Sequence, residues 1–333
     1  MVTTKEMEES SVFSLILKFS GPAVAAMMVM SIYNIVDRIY IGRSVGTLGI
    51  GGIAIGYPLM MIKGALAMLI AIGAASMISI RLGEKKNDEA EKILGHGFTL
   101  LVGFALFTAA LSLIFLTPLM RLFGASENIL PYATAYMRII LIGNVFHMLG
   151  FGANNFIRAE GNPRIAMYST LIGAVLNIIL DPIFIFVFKM GVSGAALATI
   201  ISQSASAAWV LYYFLNGKSL LKIRVRHLIP EIPLSLSIMS LGTASFVRQV
   251  SNSLVIVLLN NSLLNYGGDV AVSAMGVIFS IRTLQIMPVL GISQGVQPII
   301  GFNYGAQKLE RVKQAYSLAN KLSTGVVLLN FTA

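Results

Sequence analysis

The sequence predicts an all-α polytopic membrane protein with about nine membrane-spanning helices. Three observations support this fold class. Of the 333 residues, 56% are hydrophobic and only 11% are charged, whereas roughly 25% of the residues in a soluble domain are charged. Long apolar segments alternate with short polar ones throughout the chain. Lys and Arg are concentrated in every second polar segment, which is typical of loops on the cytoplasmic side of a membrane.

The apolar segments are each long enough to cross a bilayer, for which about 20 residues suffice. They lie at residues 12–41, 50–80, 93–117, 130–157, 164–188, 191–215, 233–265, 270–300 and 312–333. The chain contains no cysteine and only three scattered histidines. Disulfides and zinc sites are therefore not expected, and no cofactor is predicted.

The distribution of basic residues predicts that the N-terminus is cytoplasmic. With this orientation, the cytoplasmic segments hold 16 of the 24 Lys and Arg residues, including Lys218, and the outer loops hold Arg43, Arg121 and Lys189. The net charge of +10 is then explained by membrane topology and contact with lipid headgroups. We therefore expect lipid, and not nucleic acid, to contact these charges.

Two stretches of about 40 residues, beginning at Ala54 and Ala274, resemble each other weakly but in order. The matched positions are Gly56 and Gly276, Lys63 and Arg282, and the G-x-x-K loops at 83–86 and 305–308. The repeat predicts a six-helix lobe at 1–217, a cytoplasmic linker at 218–232 and a partial second lobe of three helices at 233–333. Because six spans precede the linker and three follow it, the repeat also predicts a C-terminally truncated twelve-span protein. Such halves are typical of transporters.

Only two of the 14 acidic residues, Asp37 and Asp181, fall inside the predicted spans. A charged carboxylate at mid-bilayer costs about 2.5–3.5 kcal/mol on insertion scales, so such residues usually face a cavity or a partner. Both acids are therefore predicted to bind a proton or a cation such as Na⁺. At 1.5 Å per residue they lie about 6 and 10 Å from the outer ends of their spans.

Polar neighbours accompany each acid at helical spacing. Asn177 lies four residues before Asp181, and Tyr33 and Asn34 lie four and three residues before Asp37, so each set shares a helix face. Each acid also has an alternative to proton or cation binding. Asp37 would instead form an ion pair with Arg38 or Arg43, and Asp181 would instead belong to a helix bend at Pro182.

Several other polar residues fall inside the spans. The candidates for lining a cavity are Tyr33, Asn34, Pro182 and Gln203. Gln203, like Asn154 and Asn155, is alternatively typical of helix–helix contacts. The basic residues that either line a cavity or extend to the membrane surface are Lys63, Arg138, Arg248 and Arg282.

The most specific motif lies at residues 173–202, GAVLNIILDPIFIFVFKMGVSGAALATIIS. Its N-x-x-x-D-P and G-V-x-G-A-A-x-A-T patterns, together with Pro22 and Asp37 in the first span, resemble the multidrug and toxic compound extrusion (MATE) family, in particular its MepA-like bacterial branch. The resemblance extends over all 333 residues. It implies twelve helices in two lobes and export of organic cations in exchange for protons or sodium. It also implies that Asp37, Asn177 and Asp181 form an ion site. The seventh span lacks the acid that some members carry there.

The sequence thus predicts a secondary active antiporter that exports small, cationic, amphipathic molecules from a bacterial or archaeal cell and acts as a monomer in the cytoplasmic membrane. The alternative within the same superfamily is a lipid-linked oligosaccharide flippase, which would need several cations at one depth of its cavity. An intramembrane enzyme would need paired Asp-rich motifs, and a channel would need a pore-loop motif. The sequence contains neither.

Overall fold

The computed structural model describes residues 4–217 and 219–332, so the predictions for Lys218 and Ala333 lie outside the described residues. All regular structure in this part of the chain is helical. The helices are α1 (Thr4–Glu9), α2 (Val12–Val45), α3 (Thr47–Gly83), α4 (Asn87–Ile114), α5 (Leu116–Leu122), α6 (Leu130–Ile142), α7 (Asn144–His147), α8 (Asn154–Ala159), α9 (Pro163–Pro182), α10 (Gly191–Leu215), α11 (Ile232–Gly305) and α12 (Leu309–Thr332). Single π-helical turns follow α7 (Met148–Gly152) and α9 (Ile183–Val187), and a 3₁₀ turn lies at Val225–His227.

Six of these helices are long and apolar enough to span a membrane, and a bent pair of helices brings the number to seven. α11 counts once among them, although its 74 residues would extend about 110 Å at 1.5 Å per residue, far beyond a hydrocarbon core of about 30 Å. Its backbone leaves the helical region at Gly268, where φ is 64° and ψ is −165°. The break divides α11 between the predicted seventh and eighth spans.

The predicted ninth span is helical but less apolar than expected. Within the described residues, α12 is not among the helices that reach the hydropathy of a membrane span. Asn320 and Lys321 interrupt its apolar run.

The predicted fourth span is bent. α6 meets the helical stretch Asn144–Ala159 at 63°, and two contacts fix the bend. The amide of Asn144 donates to the carbonyl of Ala105 (3.0 Å) and to the hydroxyl of Thr108 (2.9 Å) on α4. A Cβ on Gly143 would lie 2.4 Å from Ile200 of α10, so only glycine permits this approach.

The apolar core is divided into two clusters along the length of the bundle. One contains Leu15, Ile78 and Phe156, and the other contains Ile41 and Met137. Each cluster draws on residues from both sides of the predicted linker. In the sequences of α2 and α3, Asp37 and Lys63 lie between the residues of one cluster and those of the other.

Glycines bring α3 and α11 into backbone contact. An added Cβ would lie 1.9 Å from the Ile238 carbonyl at Gly73 and 2.1 Å from the Ile80 carbonyl at Gly305. At Gly83, the repeat counterpart of Gly305, it would lie 2.1 Å from a carbonyl of α11. Small residues at such crossings are typical of membrane helix packing.

The chain between α10 and α11 is attached to the end of α8 and to α4 by two buried acids. The Glu160 carboxylate accepts hydrogen bonds from Tyr213 Oη, from Ser219 Oγ (2.6 Å) and from the backbone N–H of Leu221 (3.3 Å). Glu91 forms an ion pair with Arg224 at 2.6 Å. These bonds join segments far apart in sequence.

Candidate functional site

A cavity of about 280 Å³ lies among α2, α3, α9, α10 and α11. Its wall combines polar side chains with a group of methionines. The lining methionines are Met27, Met30, Met60, Met61, Met68 and Met287. Because methionine side chains are flexible and polarizable, such a wall can adapt to ligands of different shape.

Asp37 lines this cavity and is only 7% exposed. It lies eight residues before the end of α2 at Val45, about 12 Å along the helix axis, which is deeper than predicted because α2 continues past Ile41. Its Oδ1 has no hydrogen-bond partner in the described structure. Arg38 donates from Nη1 to the backbone carbonyl of Gly276 on α11, and no ion pair joins Asp37 to Arg38 or Arg43 among the described residues. The alternative interpretation of Asp37, an ion pair with Arg38 or Arg43, is therefore not supported by the described geometry.

Asp181 is fully buried near the end of α9. The Asn177 amide one turn earlier donates to Asp181 Oδ1 at 3.2 Å and lies 3.5 Å from Thr199 Oγ1 on α10. Asp181 Oδ2 and Asn177 Oδ1 have no partner within the part of the chain that the structure describes. Asn177 and Thr199 line the cavity, and Asp181 lies behind them.

The two acids are near enough for their charges to interact, although they lie on different helices. Burial makes this repulsion strong, because charges in a low-dielectric region are poorly screened. A cation or a proton bound at either carboxylate weakens it. The available oxygens, Asp37 Oδ1, Asn177 Oδ1 and Asp181 Oδ2, are of the type that hard cations prefer. Within residues 4–217 and 219–332, no three His, Asp or Glu side chains form a metal-binding group.

The other predicted lining residues differ in position. Tyr33, Asn34 and Gln203 line the cavity, and the Asn34 amide donates to the Met30 carbonyl at 2.6 Å. Pro182 does not lie among the lining residues. It ends α9 and precedes the π-helical turn, which agrees with a role in helix irregularity.

Sequence reasoning missed most residues of the cavity wall, among them Thr199, Tyr57 and Tyr136. Of these, Tyr57 stacks on Phe279 of α11 with ring centroids 6.1 Å apart. The position of all three depends on which face of a helix points inward. In helices that are apolar on every side, this face has little signal in the sequence.

The chain matches the MatE family profile at residues 22–183 and 244–332. It is 29% identical over 322 residues to the multidrug export protein MepA of Staphylococcus aureus, covering 97% of this chain and 71% of MepA. A relative from Staphylococcus haemolyticus is 29% identical over 301 residues, covering 90% of this chain and 66% of that protein.

Solved structures agree with this result. The MATE multidrug transporter DinF-BH, determined in complex with rhodamine 6G, is 39% identical with a TM-score of 0.91, covering 96% of this chain and 72% of that one. A transporter of the MOP superfamily from Pyrococcus furiosus, described as having a binding pocket of reverse polarity, is 27% identical with a TM-score of 0.89. It matches over 97% of this chain and 72% of its own. The profile covers more than half of the chain, and this protein therefore belongs to the MATE family, a family of multi-pass membrane transporters and not of enzymes.

Proposed function

We propose that the protein exports small amphipathic organic cations in exchange for H⁺ or Na⁺, with Asp37, Asn177 and Asp181 as the coupling site. The observation that carries the proposal is the pair of buried acids, with interacting charges and unpartnered oxygens, at a methionine-lined cavity. Relatives described as multidrug export proteins support it.

The physical basis for exchange is competition for the same negative charge. An ionised Asp37 attracts an organic cation into the cavity, where the methionines contact its apolar part. A proton or Na⁺ at the acid pair neutralises that charge, so the attraction is lost and the organic cation leaves. Alternation between the two occupants couples movement of the ion to movement of the substrate.

Tyr33, Asn34 and Gln203 then provide the polar contacts of the substrate. The Oε1 atom of Gln203 has no partner among the described residues, so it is available to a donor on the substrate. Pro182 acts on the site through the backbone at the end of α9.

The proposal includes the position of the protein in the cell. The first lobe occupies 1–217, the linker 218–232 and the second lobe 233–333, with the N-terminus in the cytoplasm and a monomer as the unit. Relatives from bacteria support a location in the bacterial cell membrane.

The flippase alternative has less support. Its pyrophosphate group would need several cations at one depth, and among the described residues the Lys and Arg side chains that line the cavity are Arg38 and Lys63. The Arg38 guanidinium is already bonded to a carbonyl.

The test measures uptake of rhodamine 6G into proteoliposomes under an imposed pH or Na⁺ gradient. We expect Asp37→Asn and Asp181→Asn to abolish the gradient-dependent part of transport. Asp88→Asn, at an exposed acid in the first turn of α4, is the matched control and should transport like the wild type. Normal gradient-driven transport by both the Asp37→Asn and the Asp181→Asn variant would contradict the proposed coupling site.

A further inference from the structure

Lys63 is a buried cation without a counter-charge. It lies near the middle of α3 and is 2% exposed. Its Nζ has no hydrogen-bond partner in the described structure, and no described carboxylate forms an ion pair with it. Buried charges in proteins are usually paired, because leaving one unpaired in a low-dielectric region is costly. The counter-charge of Lys63 is therefore expected to come from outside the described chain.

The other bases inside the spans do not share this environment. Arg138, Arg248 and Arg282 are all exposed on the surface of the described bundle, where a long side chain can reach polar surroundings. Arg282 is the counterpart of Lys63 in the internal repeat, which makes it a suitable reference for a basic residue in an exposed position.

Lys63 contributes to the wall of the cavity that also contains Asp37. Lys63 lies 16 residues after the start of α3, about 24 Å along its axis, and Asp37 lies about 12 Å from the adjoining end of α2. The guanidinium of Arg38, which also lines the cavity, is bonded to the Gly276 carbonyl. The cavity thus carries a carboxylate towards one end and an unpartnered ammonium deeper inside. His147, stacked on Phe151, interacts electrostatically with Lys63 and has an unpartnered Nδ1.

This distribution of charge fits a ligand with two opposite charges. A purely cationic ligand would satisfy Asp37 but would be repelled by Lys63. A ligand with an amine at one side and a carboxylate at the other would neutralise both groups, and the ammonium of Lys63 forms a charge-assisted hydrogen bond with a carboxylate.

We infer that Lys63 binds the acidic group of those organic cations that also carry one, so that among the substrates of the proposed function the cavity favours amphipathic zwitterions over purely cationic molecules of the same shape. The inference rests on the proposed function, since it concerns the substrate of the same cavity. It adds a specificity-determining residue outside the ion-coupling site.

The test compares two dyes that differ in one group. Rhodamine 6G is an ethyl ester with a net positive charge, and rhodamine 19 is the corresponding free acid, a zwitterion with the same xanthene ring system. We expect fluorescence anisotropy on the purified full chain to show at least fivefold tighter binding of rhodamine 19. Lys63→Gln should abolish this preference by weakening rhodamine 19 about tenfold, with rhodamine 6G unchanged or bound more tightly. Lys63→Arg should retain it, and Arg282→Gln should bind both dyes like the wild type.

The outcomes separate the two proposals. Equal binding of the two dyes by the wild type overturns the role of Lys63, even if Lys63→Gln does not fold. The same holds if Lys63→Gln weakens both dyes equally, since that indicates a structural role. In both cases the binding of rhodamine 6G leaves the proposed function standing. If the wild type binds neither dye, the proposed function fails and the inference fails with it.

Discussion

Asn177 forms a hydrogen bond to one oxygen of Asp181 and keeps its own carbonyl oxygen without a partner among the described residues. The amide therefore orients the carboxylate on one side and offers an acceptor on the other. Groups that orient a cation-binding carboxylate commonly affect ion affinity nearly as strongly as the ligands themselves. Asn177 is thus expected to act in both ways within the proposed coupling site.

The first prediction concerns this amide. Asn177→Ala removes both the hydrogen bond and the free oxygen, so we expect the apparent affinity for the coupling ion to fall about 10- to 100-fold. The measurement is the dependence of rhodamine 6G transport on Na⁺ concentration and pH. Asn216→Ala, at the exposed end of α10, is the control. An unchanged ion dependence in Asn177→Ala would remove this residue from the site.

The second prediction concerns Glu160, outside the spans. Burial raises the pKa of this carboxyl, although hydrogen bonds from Ser219, Tyr213 and Leu221 oppose the shift. Since the folded pKa is raised, the contribution to stability is fully present below the unfolded pKa and is lost as pH rises through the folded value. As the pH rises from the unfolded to the folded pKa of Glu160, the melting temperature of the wild type should therefore fall relative to that of Glu160→Gln. A difference that stays constant across that range would show that Glu160 does not titrate differently on folding.

For individual residues, the sequence predicts side-chain contacts within one helix but not those between helices. The four-residue spacing of Asn177 and Asp181 predicts a shared face, and their hydrogen bond is consistent with it. Thr199 approaches the same amide from α10. Its position follows from the packing of two helices, which the sequence does not specify.

Close contact between α3 and α11 depends on residues that lack a side chain. An added methyl group at Gly305 would overlap the Ile80 carbonyl oxygen, and a backbone group cannot rotate away as a side chain can. Gly83 and Gly305 occupy equivalent positions in the internal repeat and make equivalent contacts. The repeat is therefore visible in the packing as well as in the sequence.

The third prediction follows from this contact. Gly305→Ala should force α3 and α11 apart and destabilise the protein by about 1–3 kcal/mol, as overpacking in a tight interior does. Thermal unfolding in detergent measures the effect. Gly103→Ala is the matched control, because a methyl group there meets nothing within 4 Å. Equal melting temperatures for the two variants would be inconsistent with the crossing described.

Some features of the helices were accessible from the sequence and others were not. The polar residues near Gly268 predicted the division of α11, because Gly-Gly-Asp interrupts the apolar run. The 63° bend before Asn144 was not predicted. It depends on the hydrogen bonds from Asn144 to α4 and on the space that Gly143 leaves for Ile200.

Across the whole molecule, the two lobes of the proposal contact each other on both sides of the cavity. Towards one end, Arg38 reaches Gly276 and Ser273 donates to the Thr47 carbonyl at 2.8 Å. Towards the other, Gln297 donates to the Ile72 carbonyl at 3.1 Å. In the proposed transport cycle, rocking of one lobe against the other breaks one set of contacts and keeps the second, so that the cavity opens to each side in turn.

The last prediction determines which end faces the cytoplasm. The chain has no cysteine, so a single introduced cysteine can be labelled without background. Tyr266 is 94% exposed in a segment without Lys or Arg, and Asn87 is exposed beside the basic residues Lys85 and Lys86. The positive-inside rule therefore predicts that a membrane-impermeant maleimide labels Tyr266→Cys in intact cells and labels Asn87→Cys only after permeabilisation. Both variants must react fully in permeabilised cells for the comparison to hold. The reverse pattern would place Asp37 and Asp181 in the cytoplasmic half of the membrane, and the coupling ion would then enter the acid pair from inside the cell.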